Sequence, residues 1–313
     1  VIPRLALAGC GRWGEKLCAT LAGLANGGRI ELVALADPAE GALERARALA
    51  PGARALATLE ELLQARLGLD GVLVATPTPL HGSHARLALA AGLDVFVEKP
   101  LALSLKEARA LVALARGRVA MVGHLMRFHP AHARLGALVR EGAVGALRGF
   151  SSRRVTESRS PEPLWTLLPH DLATMHALDA SPVVEIRAAA CLGGVRVKLG
   201  LASGLAATLF ASTHGVTATR YLRATGTDGT VELDELAPGG ARLMARRGDG
   251  RGTTLALPAD PLRLELEHFA ACVTERRIPE TCFAEALFVV ETLERCHRAL
   301  GGTPSRPELR ACP

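Results

Sequence analysis

The feature that most restricts what this 313-residue chain can fold into is the run Gly9-Cys10-Gly11-Arg12-Trp13-Gly14. It directly follows the apolar segment 5–8 and opens a helix-period stretch through Glu15, Leu17 and Leu21. In a strand–turn–helix setting each glycine has its own task. Gly9 makes the tight turn, Gly11 lets the backbone approach a pyrophosphate, and Gly14 lets helix and strand pack closely. The helix N-terminus then offers its N–H groups to phosphate oxygens, which brings Arg12 and Trp13 into the candidate cofactor site. In a chain with 32 glycines this motif needs a second signal. Asp37 supplies it: it ends the next apolar segment about 20 residues beyond the last glycine, where an acid holds a ribose 2′-hydroxyl. Asp37 also precedes Pro38, an Asp-Pro turn signal, and the two roles are compatible. An acid here favours NAD, with NADP as the alternative cofactor.

The first 120 or so residues alternate short apolar runs with helix-period stretches, the pattern of a parallel α/β sheet. Strands are expected over 5–8, 31–36, 71–75, 94–98 and 119–122. Two of the intervening helices open on capping boxes, Thr58-Leu59-Glu60-Glu61 and Ser104-Leu105-Lys106-Glu107. Beyond Gly123 strands follow one another through glycine-rich turns, over 183–190, 195–201, 205–212, 221–225 and 230–233. Helices are expected over 261–275 and 283–300, and another begins near His170. The reading is an α/β chain: a Rossmann domain with a doubly wound parallel sheet over 1–122, then an α+β domain with a large, mostly antiparallel open sheet over 123–313. The length suits two domains of roughly 150 residues each, with an active site expected in the cleft between them.

A net charge of +6 raises the question of nucleic acid, but the arginines are spread over predicted helices and aromatic residues make up 3% of the chain, so stacking platforms are lacking. No apolar run approaches the roughly 18 residues of a membrane span. Cysteines at 10, 18, 191, 272, 282, 296 and 312 form no C-x-x-C pair, so no metal site is expected and the thiols read as reduced ones of a cytoplasmic protein. Leu7-Ala8-Gly9-Cys10 has the form of a lipoprotein cleavage box, yet Pro3 and Arg4 stand where a signal peptide has its apolar core.

Glu98-Lys99-Pro100, together with Thr76-Pro77 and His81, closely resembles the Gfo/Idh/MocA oxidoreductases, a family named for glucose-fructose oxidoreductase and inositol dehydrogenase. The resemblance extends through 122–130, 164–172 and 226–230, and is nearest to a subgroup that includes sugar-nucleotide 3-dehydrogenases. It implies NAD(P)-dependent hydride transfer to or from a secondary hydroxyl or keto group of a sugar, sugar derivative or nucleotide-activated sugar. The implied cofactor-binding residues are Gly9, Gly11, Arg12, Trp13, Gly14, Asp37, Thr76, Pro77, His81, Glu98 and Lys99. Lys99 and His170 are implied as catalytic. Lys99, Arg127, His129, Thr166 and His170 are implied at the substrate. A homodimer or homotetramer through the C-terminal sheet is implied as well.

Physical chemistry supports Lys99 independently, because ligands of open α/β sheets bind beyond the carboxyl ends of the strands. Pro100 restricts Lys99 to an extended conformation or a cis bond, which fixes the exit direction of its side chain. His170 is expected beside a helix start, where the helix dipole and the Lys99 cation would keep its imidazole neutral. Asp171 is expected as a cap or first-turn acid of the same helix. Relatives usually carry an aspartate four residues before this histidine. Here Thr166 stands there and cannot ionise, so His170 alone is expected to carry the proton. Two other functions stay open: a catalytically inactive dinucleotide-binding sensor, and a reductase of a non-sugar carbonyl or imine.

Overall fold

The computed structural model describes residues 1–157, 162–191, 193–248, 252–258 and 260–302; Cys312 lies outside them. Strands β1 (Arg4–Ala8), β2 (Glu31–Ala36), β3 (Arg54–Leu56), β4 (Gly71–Val74), β5 (Asp94–Glu98) and β6 (Ala120–Gly123) form an all-parallel sheet in the order β3-β2-β1-β4-β5-β6. Helices α1 (Arg12–Asn26), α2 (Glu40–Leu49), α3 (Leu59–Gln64), α4 (His81–Ala90) and α5 (Leu105–Leu114) alternate with the strands. Strand order reverses between β1 and β4, and such a switch point opens a crevice at the carboxyl ends of the two strands. β4 and β5 are buried at every position, as expected of parallel strands covered on both faces. Both capping boxes form. The Thr58 hydroxyl accepts the Glu61 N–H at 3.1 Å and the Ser104 hydroxyl accepts the Glu107 N–H at 3.2 Å.

The chain continues through α6 (Pro130–Arg140), β7 (Leu147–Val155), α7 (Pro163–Leu178), β8 (Val183–Cys191), β9 (Gly194–Leu201), β10 (Ala206–Ser212), β11 (Thr219–Gly226), β12 (Gly229–Asp234), β13 (Ala241–Arg247) and β14 (Gly252–Leu257). It then forms α8 (Pro261–Glu275) and α9 (Phe283–Ala299). The eight strands order as β14-β13-β12-β11-β7-β10-β9-β8, antiparallel throughout except for the parallel pair β7–β10. In β9, Val195, Val197, Leu199 and Leu201 are buried while Arg196 and Lys198 are exposed, so the sheet has one apolar face, and α6 and α7 pack on this sheet.

Four strands escape the sequence reading. β3 is three residues long. β7 carries buried Ser152 and Arg154 at inward positions, so its polar sequence conceals its period. β13 and β14 form an arginine- and threonine-rich hairpin at the sheet's end, the composition that blunts an open edge.

Two compact units result, one of residues 1–124 with 262–290, the other of residues 125–261 with the end of α9. α8, expected in the second domain, thus belongs with the parallel sheet. Phe269 meets Phe96 of β5 edge to face at 5.7 Å between centroids, and neither ring is exposed. Thr281, between α8 and α9, donates its hydroxyl to the Val122 carbonyl at 2.7 Å and accepts the Val122 N–H on its own carbonyl at 2.8 Å. Phe283, Ala286 and Val290 join the core on the opposite face of β5, with Val95 and Val97. A parallel sheet needs apolar cover on both faces, and the returning helices supply part of it at β5 and β6. Phe269→Ala is therefore expected to cost about 3–5 kcal/mol in urea denaturation; a loss below about 1 kcal/mol would place Phe269 outside the core.

Candidate active site

Two of the three loop glycines are required by close backbone contacts. Gly9 has φ +96°, and a Cβ on it would lie 2.5 Å from the Ala75 carbonyl and 2.6 Å from the Thr76 nitrogen. A Cβ on Gly14 would lie 1.9 Å from the Gly9 oxygen, so helix and turn are in backbone contact. Gly11 differs: nothing lies within 4 Å of its Cβ position, and it N-caps α1 with no side-chain cap over the leading N–H groups. Tight packing below and open space beside an uncapped helix N-terminus form a cradle that fits a dinucleotide phosphate.

The Asp37 carboxylate accepts the Cys10 N–H at 2.6 Å on one oxygen and the Ala39 N–H at 2.8 Å on the other. It therefore braces the glycine turn and makes the turn at Pro38. Each oxygen keeps a further lone pair, which a ribose hydroxyl can use.

The glycine loop is tied to Glu98-Lys99-Pro100 through Trp13, whose indole N–H donates to the buried Glu98 carboxylate. The other Glu98 oxygen accepts the Lys99 backbone N–H at 3.2 Å. Burial pushes the Glu98 carboxyl up, opposed by the Trp13 hydrogen bond and the Lys99 charge. The Lys99–Pro100 bond is cis, and the Lys99 side chain is half-buried at the end of β5. His81, 2% exposed, sits between the Pro100 carbonyl at 2.8 Å and the Thr76 carbonyl at 2.9 Å. Burial brings its imidazole down to about 4, with Lys99 and His84 acting in the same direction. The ring is neutral at pH 7 and donates to one of the two carbonyls. Pro77 N-caps a single 3-10 turn, Thr78–Leu80, that leads into α4.

His170 lies elsewhere in its helix than expected. α7 begins at Pro163, seven residues earlier, so the N-terminal dipole does not act on His170. A proline favours the first turn of a helix, and α7 has two; Pro169 is the one inside it. Asp171 is likewise no cap. It is fully buried, and Arg154 of β7 donates to its Oδ1 from Nη2 at 2.7 Å and from Nε at 3.0 Å.

The same guanidinium reaches Glu235 at 2.9 Å. His132 of α6 bridges Glu235 and the Thr174 hydroxyl, both at 3.0 Å, and Thr174 donates to the His170 carbonyl at 3.1 Å. Burial raises the Glu235 carboxyl, but Arg154 and His132 override it and hold the group well below the usual carboxylate range. The Thr166 hydroxyl donates to the Glu162 carbonyl at 2.7 Å. His129 caps α6, its Nδ1 accepting the Ala131 N–H at 3.1 Å. Arg127 lies in the 3-10 turn Leu125–Phe128, near enough to His176 to lower that imidazole alongside burial. Among the described residues no three His, Cys, Asp or Glu side chains gather to hold a metal, and no helix is long and apolar enough to cross a membrane.

A sequence model of an oxidoreductase family with an NAD-binding Rossmann fold matches residues 4–124. A 4-carboxy-2-hydroxymuconate-6-semialdehyde dehydrogenase from a Sphingobium species is 30% identical, covering 95% of this chain and 96% of that protein. The chain belongs to the Gfo/Idh/MocA family. It is an oxidoreductase whose cofactor is NAD or NADP. The solved structure of UDP-N-acetylglucosamine 3-dehydrogenase GnnA from Acidithiobacillus ferrooxidans matches it with a TM-score of 0.84 at 26% identity, over 96% of this chain and 98% of that one. The scyllo-inositol 2-dehydrogenase (NAD(+)) of Bacillus subtilis is 34% identical over 145 residues, 45% of this chain and 41% of that protein.

Within the first unit of this Gfo/Idh/MocA chain, the structure gathers Gly9, Trp13, Gly14, Thr76, His81, Glu98 and Lys99 at the carboxyl ends of β1, β4 and β5. The buried cluster of His132, Arg154, Asp171 and Glu235 has no counterpart among the residues that the sequence points to as a group. Its signal is an arginine at an inward strand position, readable only once β7 is recognised. Because Glu235 titrates below its unfolded value, its contribution is present above about pH 4.3 and is lost as pH falls. Glu235→Gln is expected to lower stability at pH 7 and to flatten the acid limb of a melting-temperature profile; an unchanged acid limb would remove Glu235 from the cluster's energetics.

Proposed function

We propose that this Gfo/Idh/MocA protein is a dehydrogenase that moves a hydride between the nicotinamide and a secondary hydroxyl or keto carbon of a sugar, sugar derivative or nucleotide-activated sugar. The observation that carries the reading is the Trp13–Glu98 hydrogen bond, which fastens the Lys99 loop to the dinucleotide cradle within one unit. Gly9, Gly11, Arg12, Trp13, Gly14 and Asp37 would hold NAD(P), which when bound supplies the carbon that gives or takes the hydride. NAD is the preferred form in this reading, because a carboxylate at Asp37 repels a 2′-phosphate.

Lys99 donates to the substrate oxygen and stabilises negative charge on it. His170 takes the hydroxyl proton during oxidation and returns it during reduction. Thr166 orients substrate or water. His129 offers Nε2, since its Nδ1 is committed to the helix cap, and Arg127 adds a cation. In this role Thr174 and the buried Arg154–Asp171 pair hold the turn of α7 that carries His170.

The names of two relatives, an N-acetylglucosamine nucleotide dehydrogenase and an inositol dehydrogenase, support the sugar-like substrate. The relative that is 30% identical over nearly the whole chain is named for a semialdehyde, and this favours a second reading, a non-sugar carbonyl substrate. Turnover of NAD(P) with UDP-N-acetylglucosamine, inositols and 4-carboxy-2-hydroxymuconate-6-semialdehyde separates the two; turnover with none of these would favour a sensor.

With the substrate that turns over, Lys99→Met is expected to keep cofactor binding and lose most activity. His170→Ala should lower the rate by about 10²- to 10⁴-fold. Thr166→Val should cost far less. If Thr166→Val proves as damaging as His170→Ala, the single-base mechanism is wrong.

A further inference from the structure

A second buried carboxyl lies behind Glu98. β5 alternates its side chains, so Phe96 and Glu98 share one face. Gly123 at the end of β6 looks onto both: a Cβ there would lie 2.9 Å from the Phe96 ring and 3.2 Å from the Glu98 carboxyl carbon. α8 crosses this face with Phe269 on Phe96. Arg276, just after α8, donates to Asp94 at the start of β5 at 3.2 Å, so α8 runs opposite to β5, and Glu265, one helical turn before Phe269 on the same side, falls toward Glu98. Glu265 is fully buried, and neither of its carboxyl oxygens has a hydrogen-bond partner among the described residues. Glu98 by contrast accepts two hydrogen bonds, from the Trp13 indole and the Lys99 amide.

We propose that Glu265 carries a proton in the working protein and is a positioning residue for Lys99: a neutral acid packed behind the Glu98 carboxylate, leaving the pair with a single negative charge. The alternative, two buried carboxylates side by side, sets like charges against each other with no donor for one of them. Burial raises the Glu265 carboxyl well above its ordinary value, and the Glu98 charge on the facing strand raises it further. Glu98 in turn feels Lys99. With Glu265 neutral, Glu98 stays in its bonds to Trp13 and the Lys99 backbone. An ionised Glu265 would push it out of them. The consequence for Lys99 rests on the role proposed for that lysine above.

The sign of the pH effect is fixed. Folded Glu265 binds a proton that the unfolded chain releases above about pH 4.3, so its contribution to stability falls as pH rises until Glu265 itself ionises in the folded state. Glu265→Gln keeps the shape of the neutral acid without the proton. In the full-length protein its melting temperature, relative to wild type, should therefore climb as pH rises from about 4 to about 8. The infrared difference spectrum of wild type minus Glu265→Gln at pH 7 should show the carbonyl stretch of a protonated carboxylic acid. In Glu98→Gln that band should remain at pH 7 and titrate away at a lower pH than in wild type. A melting-temperature difference that does not change with pH, or no acid band at pH 7, overturns the proposal. Neither readout needs a substrate, so failure of the dehydrogenase reading would leave the proton on Glu265 standing.

Discussion

The backbone contact between Gly14 and Gly9 is the constraint on which the candidate cofactor site depends. With a Cβ position 1.9 Å from a carbonyl oxygen, helix α1 seats against β1 only when residue 14 has no side chain. That seating sets the first turn of α1 and therefore the direction of Trp13. Trp13 in turn holds Glu98, and Glu98 holds the main chain of Lys99. Gly9 repeats the constraint on the other side, against the backbone at Ala75 and Thr76. One steric requirement thus links the phosphate cradle to the lysine proposed to touch substrate.

The second unit fixes its candidate residue by different physics. His170 has no glycine turn or strand end to aim it; it sits inside α7, backed by Asp171, Thr174, His132, Arg154 and Glu235. Buried ions are costly to desolvate and stable only when each is paired and hydrogen-bonded. Such a cluster tolerates few alternative arrangements, so it specifies a geometry even where its net contribution to stability is modest. The shared Arg154 guanidinium joins β7, α7 and the chain just after β12 at one point.

The parallel sheet could be read from the sequence because its signals are local. Gly9 to Gly14 follows an apolar run, the capping boxes lie at Thr58 and Ser104, and β5 is an apolar run ending in Glu98. The Trp13–Glu98 bond joins residues 85 positions apart, and no local pattern announces it. α7 starts at Pro163 and not near His170 because Asp171, which has the residue type of a cap or first-turn acid, is governed by burial and an ion pair in the folded chain. β7 was hidden because its inward positions carry Ser152 and Arg154, whose burial only the tertiary partners make tolerable. α8 returned to the first unit for a reason that sequence period cannot give: which sheet face still lacks cover.

If this Gfo/Idh/MocA chain binds its dinucleotide on the Gly9–Gly14 loop with Asp37 at the ribose, fluorescence titration of NADH and NADPH into wild type and Gly14→Ala will show it. Wild type should bind NADH more tightly than NADPH, and a folded Gly14→Ala variant should lose both. Undiminished NADH binding by Gly14→Ala, or a wild type that prefers NADPH, would contradict it.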